Sequence, residues 1–228
     1  IRLLTNKKIY TIIKQKQRFD FMGEYSFLLA IAIVFMFGTM SPGPSFILVA
    51  KTAVSKPFNE GIGVSIGLSI GAVCFTLLAI FGLYALFETV PFLYGIFKLL
   101  GGIYLIYLAY KIWKYSHESL SMDMKLEQSK KGFFKAVLFG FITQISNPKT
   151  AIIIGSIFAA LLPKELPVYS ELLLCLIAFF IDAIWYCLVV VLLSTQKSQK
   201  IYLRFKKYID RVAGTLLAAL GIKLALDY

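Results

Sequence analysis

The sequence predicts an all-α integral membrane protein: six transmembrane helices arranged as two inverted three-helix repeats, with helices one and four interrupted. Three observations carry that reading. Of 228 residues, 59% are hydrophobic and only 16% charged, with a mean hydropathy of +0.78, far too apolar for a soluble domain of this size. Six apolar runs reach the roughly 20 residues that a spanning helix needs. Two of those runs contain a proline break, Ser41-Pro42-Gly43-Pro44 in the first and Ser146-Asn147-Pro148-Lys149 in the fourth.

Taken in order, the expected spans are Tyr25 to Ala50, Gly61 to Phe87, Phe92 to Trp113, Phe133 to Leu162, Val168 to Ser194 and Tyr208 to Leu226. The loops are short except for the polar stretch Lys114 to Gly132, which divides the spans three and three. Repeat one then covers about 25–113 and repeat two about 133–226, within a single transmembrane domain over 22–228. Residues 1–21 are basic and precede Met22-Gly23-Glu24; they are expected to be a mis-started or non-native extension outside the fold. In the second span Gly63, Gly67 and Gly71 form a stripe at four-residue spacing that lets a neighbouring helix approach closely. Such a stripe serves internal packing or a homodimer equally.

The net charge of +12 does not point to nucleic acid, because the basic residues fall between apolar runs. They set topology instead. The loops after spans one, three and five hold fourteen Lys and Arg, from Lys51 and Lys56 to Lys207 and Arg211, against three (Lys98, Lys164, Lys223) on the other side when counted from Met22. The richer side faces the cytoplasm, so both termini are expected outside. Cys74, Cys175 and Cys187 form no paired motif, and the one histidine, His117, lies in the polar loop. No metal site or cofactor is implied.

A proline inside a helix removes a backbone donor and clashes with the preceding turn. In hydrocarbon the freed backbone groups stay unsatisfied unless protein groups or a wet cavity receive them. Aligning Pro44 with Pro148 sets Met40-Ser41-Pro42-Gly43-Pro44-Ser45 against Gln144-Ile145-Ser146-Asn147-Pro148-Lys149, so each break falls in the first span of its half. Interrupted segments at matched positions of two halves are the sequence pointer to a midplane substrate site.

The Ser-Pro-Gly-Pro motif at 41–44, the run from Leu99 to Leu108, the break at Asn147-Pro148-Lys149, Asp182-Ala183-Ile184-Trp185 and the closing stretch from Arg211 to Leu217 together resemble the LysE/RhtB family of amino-acid exporters, from about Met22 to Leu226. The resemblance implies export of amino acids from the cytoplasm, driven by the proton gradient, through a six-helix inverted repeat.

An α-amino acid presents a carboxylate and an ammonium, so a site at membrane depth must answer both. Each restarted half-helix offers unpaired N–H groups and the positive end of its dipole to the carboxylate. Ser41, Pro42, Gly43, Pro44 and Ser45 form one such start, and Asn147, Pro148 and Lys149 the other, with Gln144 one turn before it. Proline is preorganised for a first helical position. Lys149 adds a full positive charge. Asp182 is the acidic residue deep in an apolar run, where a charge costs about 2.5–3.5 kcal/mol on the insertion scale. It is read as the ammonium contact or the proton carrier, with Lys149 as its partner in proton coupling, or else as one half of a structural ion pair with Lys149. Trp185 and Tyr186 share its helical face. Tyr104 and Tyr107 read as packing or interfacial aromatics. No second intramembrane carboxylate is evident, which favours neutral substrate side chains.

The alternatives are a channel or structural membrane protein, in which the breaks only bend helices, and an intramembrane enzyme. The enzyme would need a serine nucleophile, and only Lys149 or Asp182 could act as its base. No GxxxxGK[ST] motif occurs, so uphill transport would draw on an ion gradient.

Overall fold

Proline sets where the first and fourth segments stop and restart. In a computed structural model that describes residues 25–41, 43–90, 92–114, 116, 132–194 and 196–226, helix α1 (Ser26–Met40) ends just before the Ser-Pro-Gly-Pro motif and α2 (Pro44–Ser55) begins at its last proline. Likewise α5 (Phe133–Ile145) ends before Asn147 and α6 (Pro148–Leu161) begins at the proline. Both prolines take the first helical position, where a missing N–H costs nothing. The axes turn by 58° at the first break and 62° at the second. The remaining helices are α3 (Phe58–Thr89), α4 (Leu93–Lys114), α7 (Ser170–Leu193) and α8 (Gln196–Leu226), and the described residues contain no strand. Residues 1–21, Pro42, His117 and most of the polar loop lie outside the described residues.

By length and composition α3, α4 and α7 can each cross a membrane, and the number rises to five if each bent pair is one span. The expected sixth span, Tyr208 to Leu226, does not reach that standard. It is the C-terminal part of the longer helix α8, and Asp210, Arg211 and Lys223 all fall in its last 18 residues. Those residues nevertheless pack on α4: Ala213 and Leu217 are buried, and Trp113 donates its indole N–H to the Arg211 carbonyl at 3.1 Å while the Arg211 guanidinium lies over its ring. Lys51, Lys111 and Lys114, read as loop residues, are helical. Lys51 is buried, as are the acidic Glu60 in α3 and Asp210 in α8; Glu60 accepts the Gly132 N–H at 3.3 Å.

Two buried serines in α3 satisfy their hydroxyls by bonding back along the helix: Ser65 donates to the Gly61 carbonyl and Ser69 to that of Ser65. The glycine stripe faces α5. A Cβ at Gly63 would stand 2.8 Å from the Phe133 carbonyl oxygen, and one at Gly67 would collide with the backbone of Val137 and Phe141. From the other side Gly140 lies against the Val64 backbone, so the helices touch main chain to main chain. That close approach presents the end of α5, and Gln144 with it, to the middle of the protein.

Gly140→Leu should therefore lower the thermal stability of the detergent-purified protein by the overpacking cost of about 1–3 kcal/mol or more. Gly82→Leu, where an added Cβ meets nothing within 4 Å, should leave the melting temperature nearly unchanged.

Candidate functional site

The two breaks meet, and a carboxylate from α7 lies where they do. Asp182 is 2% exposed and Gln144 1%, and a buried carboxylate in apolar surroundings needs donors to offset its desolvation. It has two. Thr39, in the last turn of α1, donates its hydroxyl to Oδ1 at 2.7 Å, and Gln144, in the last turn of α5, donates Nε2–H to Oδ2 at 3.0 Å. Both arms of the Gln144 amide are in use, for its Oε1 accepts the Ser45 hydroxyl at 2.6 Å and the Thr150 hydroxyl at 3.3 Å. Ser45 in turn accepts from Asn147 Nδ2 at 2.8 Å. Asn147 also caps α6, its Oδ1 taking the Lys149 N–H at 3.0 Å.

Lys149 closes the circuit from the opposite direction. Its side chain crosses Gly43, and Nζ donates to the Ser41 carbonyl at 2.9 Å and to the Ser41 hydroxyl at 3.1 Å. A main-chain carbonyl freed at the first break is thus satisfied by a cation from the second. Asp182 and Lys149 do not form the ion pair that their sequence positions allow. The carboxylate oxygens are engaged by Thr39 and Gln144, and the ammonium by Ser41.

A cavity of about 30 Å³ lies within this network, enough for one or two waters and far too small for an amino acid. Of the residues singled out from sequence, Ser41, Gly43, Ser45, Gln144, Asn147, Lys149 and Asp182 line it together. Pro44 and Pro148 shape the helix starts but are exposed and do not line it. Pro42 lies outside the described residues. Trp185 does not line it either: it packs in the apolar cluster with Phe46 and Val189, its buried Nε1 lacking a hydrogen-bond partner among the described residues, while Tyr186 next to it does face the cavity. Thr39 and Thr150 complete the polar wall and were not evident from sequence. Thr39 lies in an unbroken apolar run and meets Asp182 across 143 residues, whereas Thr150 was at least adjacent to a motif. Tyr104 and Tyr107 lie together on α4, away from the cavity.

Chemically the site sets a buried carboxylate and a lysine amine on the two sides of a small polar chamber, each held by groups that a ligand's own charges could replace. Broken apolar helices around such a chamber are the arrangement expected of a membrane transporter. The match to known sequences agrees: the family model for the LysE type translocator covers residues 36–228, and the chain belongs to that family. It is a multi-pass membrane protein and a transporter, not an enzyme. Among similar proteins is a threonine efflux protein of Salmonella typhi, 30% identical over 202 residues, which are 86% of this chain and 96% of the relative. A threonine efflux protein of Escherichia coli (strain K12) is 28% identical over 87% of this chain and 97% of its own length. An uncharacterized membrane protein of Haemophilus influenzae is 28% identical over 86% and 95%. No solved structure matches.

Asn147 bears on both breaks at once, as cap and as donor to Ser45. Asn147→Ala should lower stability by about 1–3 kcal/mol, while Asn147→Ser, which can cap but cannot reach Ser45, should fall between; thermal melts of the purified proteins would rank them.

Proposed function

We propose that this protein exports small neutral amino acids, threonine among them, from the cytoplasm of a bacterium across its inner membrane in exchange for protons. One observation carries the reading: both helix breaks converge on a single buried carboxylate while a lysine of the second break holds the first. The substrate carboxylate takes the place of Ser41 on Lys149, aided by the N-terminal ends of α2 and α6. The substrate ammonium takes the place of Thr39 and Gln144 on Asp182. Thr39, Ser45, Gln144 and Thr150 supply hydroxyl and amide partners for a short polar side chain. Asp182 is the sole carboxylate lining the cavity among the described residues, so a second ammonium would find no carboxylate among them there. The threonine efflux function named for relatives supports the same substrate class.

Exchange follows if the ammonium and a proton compete for Asp182. A proton arriving from outside neutralises the carboxylate and frees the ammonium; the amino acid leaves outward, and the proton departs to the cytoplasm when the next ammonium binds. Lys149 holds the substrate carboxylate during the cycle and returns to Ser41 afterwards.

The packing supports six spans in two inverted halves. α3 packs on α7 and α4 on α8, as helices of equal rank in the two halves should, and each broken pair packs on the other half's first unbroken helix, α5 on α3 and α1 on α7. In this reading α8 supplies the sixth span despite its three charges, the basic loops face the cytoplasm and both termini lie outside.

The test is uptake of radiolabelled threonine into inverted vesicles under an imposed proton gradient. Wild type should accumulate it, and an uncoupler should abolish the accumulation. Asp182→Asn, which keeps the size of the side chain, and Lys149→Ala should insert normally and fall to the level of empty vesicles. Undiminished uptake by Asp182→Asn would remove that residue from the coupling. Uptake that resists the uncoupler would remove the proton.

A further inference from the structure

On the far side of α1 from the transport cavity lies a second opening, about 330 Å³ in volume, between α1 and α8. Its wall is apolar, formed by residues such as Ala30, Val34 and Phe37 from α1 and Leu217 and Leu220 from α8, with one polar side chain, Lys223. From Ala30 to Phe37 is seven residues, or about 10 Å along the helix. The crevice is therefore long, narrow and hydrocarbon-like, with an exposed amine. Lys223 lies less than a turn from the end of α8 at Leu226, and Ala30 about one turn from the start of α1 at Ser26, the depth at which lysine side chains reach the headgroup layer.

We propose that this crevice binds one anionic glycerophospholipid, an acyl chain lying between α1 and α8 and the headgroup phosphate on Lys223. An apolar opening of this size does not hold ordered water, and left empty it would deprive its walls of dispersion contacts. An acyl chain supplies them. The lysine adds attraction for a negatively charged headgroup. The chain would lie one helix away from the transport site. Val34 and Phe37 of α1 face the crevice, while Phe35, Gly38 and Thr39 of the same helix face the Asp182 cavity, so the lipid would brace the helix that carries Thr39 to the carboxylate.

Native mass spectrometry of the delipidated full chain, titrated with phosphatidylglycerol or with phosphatidylcholine bearing the same acyl chains, tests this. Wild type should retain one phosphatidylglycerol severalfold better than phosphatidylcholine. Lys223→Gln, a surface change, should reduce phosphatidylglycerol retention to the phosphatidylcholine level, and Ala219→Trp, which fills the crevice, should lose both lipids. Equal retention of the two lipids by wild type, or phosphatidylglycerol retention that survives both substitutions, would overturn the proposal. So would efficient crosslinking between copies of an Ile33→Cys variant in membranes, which would make a second copy of the chain the occupant of this face.

Discussion

A peptide group released from a helix inside an apolar slab must bond to something, and the architecture of this protein follows from how two such releases are answered. The first break frees the Ser41 carbonyl, which a cation from the second break receives. The second break is capped by its own Asn147, whose amide then reaches back to Ser45 at the first. Each interruption is thus completed by the other. The close main-chain contact of α3 with α5 at Gly67 and Gly140 sets the second pair at the depth where it can meet the first.

Asp182 turns that mutual support into a chemical site. Its two oxygens bind the end of α1 and the end of α5, the helices that precede the two breaks. A carboxylate in that position is costly to bury and is held by neutral donors only. A ligand ammonium would be a stronger partner than either. Lys149, for its part, donates to the carbonyl and the hydroxyl of Ser41. Asp182 and Lys149 do not bond to each other, so the proposed dipolar substrate could engage both at once. Had they paired with each other, each would have lost its reason to bind anything else.

Much of this was legible in the sequence, and the part that was not has an identifiable cause. Proline chemistry is local, so the breaks at Pro44 and Pro148 and the helix starts that follow them could be read directly. Asp182 and Lys149 stood out because ionised side chains are rare in apolar runs. Thr39 could not be read: a threonine in a hydrophobic helix bonds its own backbone as readily as a distant carboxylate, and only the fold brings it to Asp182. Trp185 and Tyr186 could not be told apart for a similar reason: helical spacing puts both near Asp182 and both pack in the same apolar cluster, but of the two only Tyr186 also lines the cavity. At α8, hydropathy divided a continuous helix at Tyr208, because its basic first half reads as a loop while its backbone continues from Gln196 to Leu226.

In the proposed transport cycle the small size of the chamber gives the site its discrimination. At about 30 Å³ it excludes any amino acid, so admission requires the Ser41–Lys149 and Thr39–Asp182–Gln144 contacts to part. A ligand shifts such an equilibrium only by as much as it favours the open state over the closed one. A solute with a carboxylate alone would recompense Lys149 and leave Asp182 without its donors; a simple amine would do the reverse. In either case a buried charge is stranded, a loss of about 3–5 kcal/mol, which would return the protein to its closed state. Only a molecule carrying both charges within a few ångströms of one another restores both partners at once. In the proposed cycle recognition of the α-amino acid backbone would reside in the paired breaks, and the choice among amino acids would fall to the hydroxyls of Thr39, Ser45 and Thr150 and to the space their helices leave on opening.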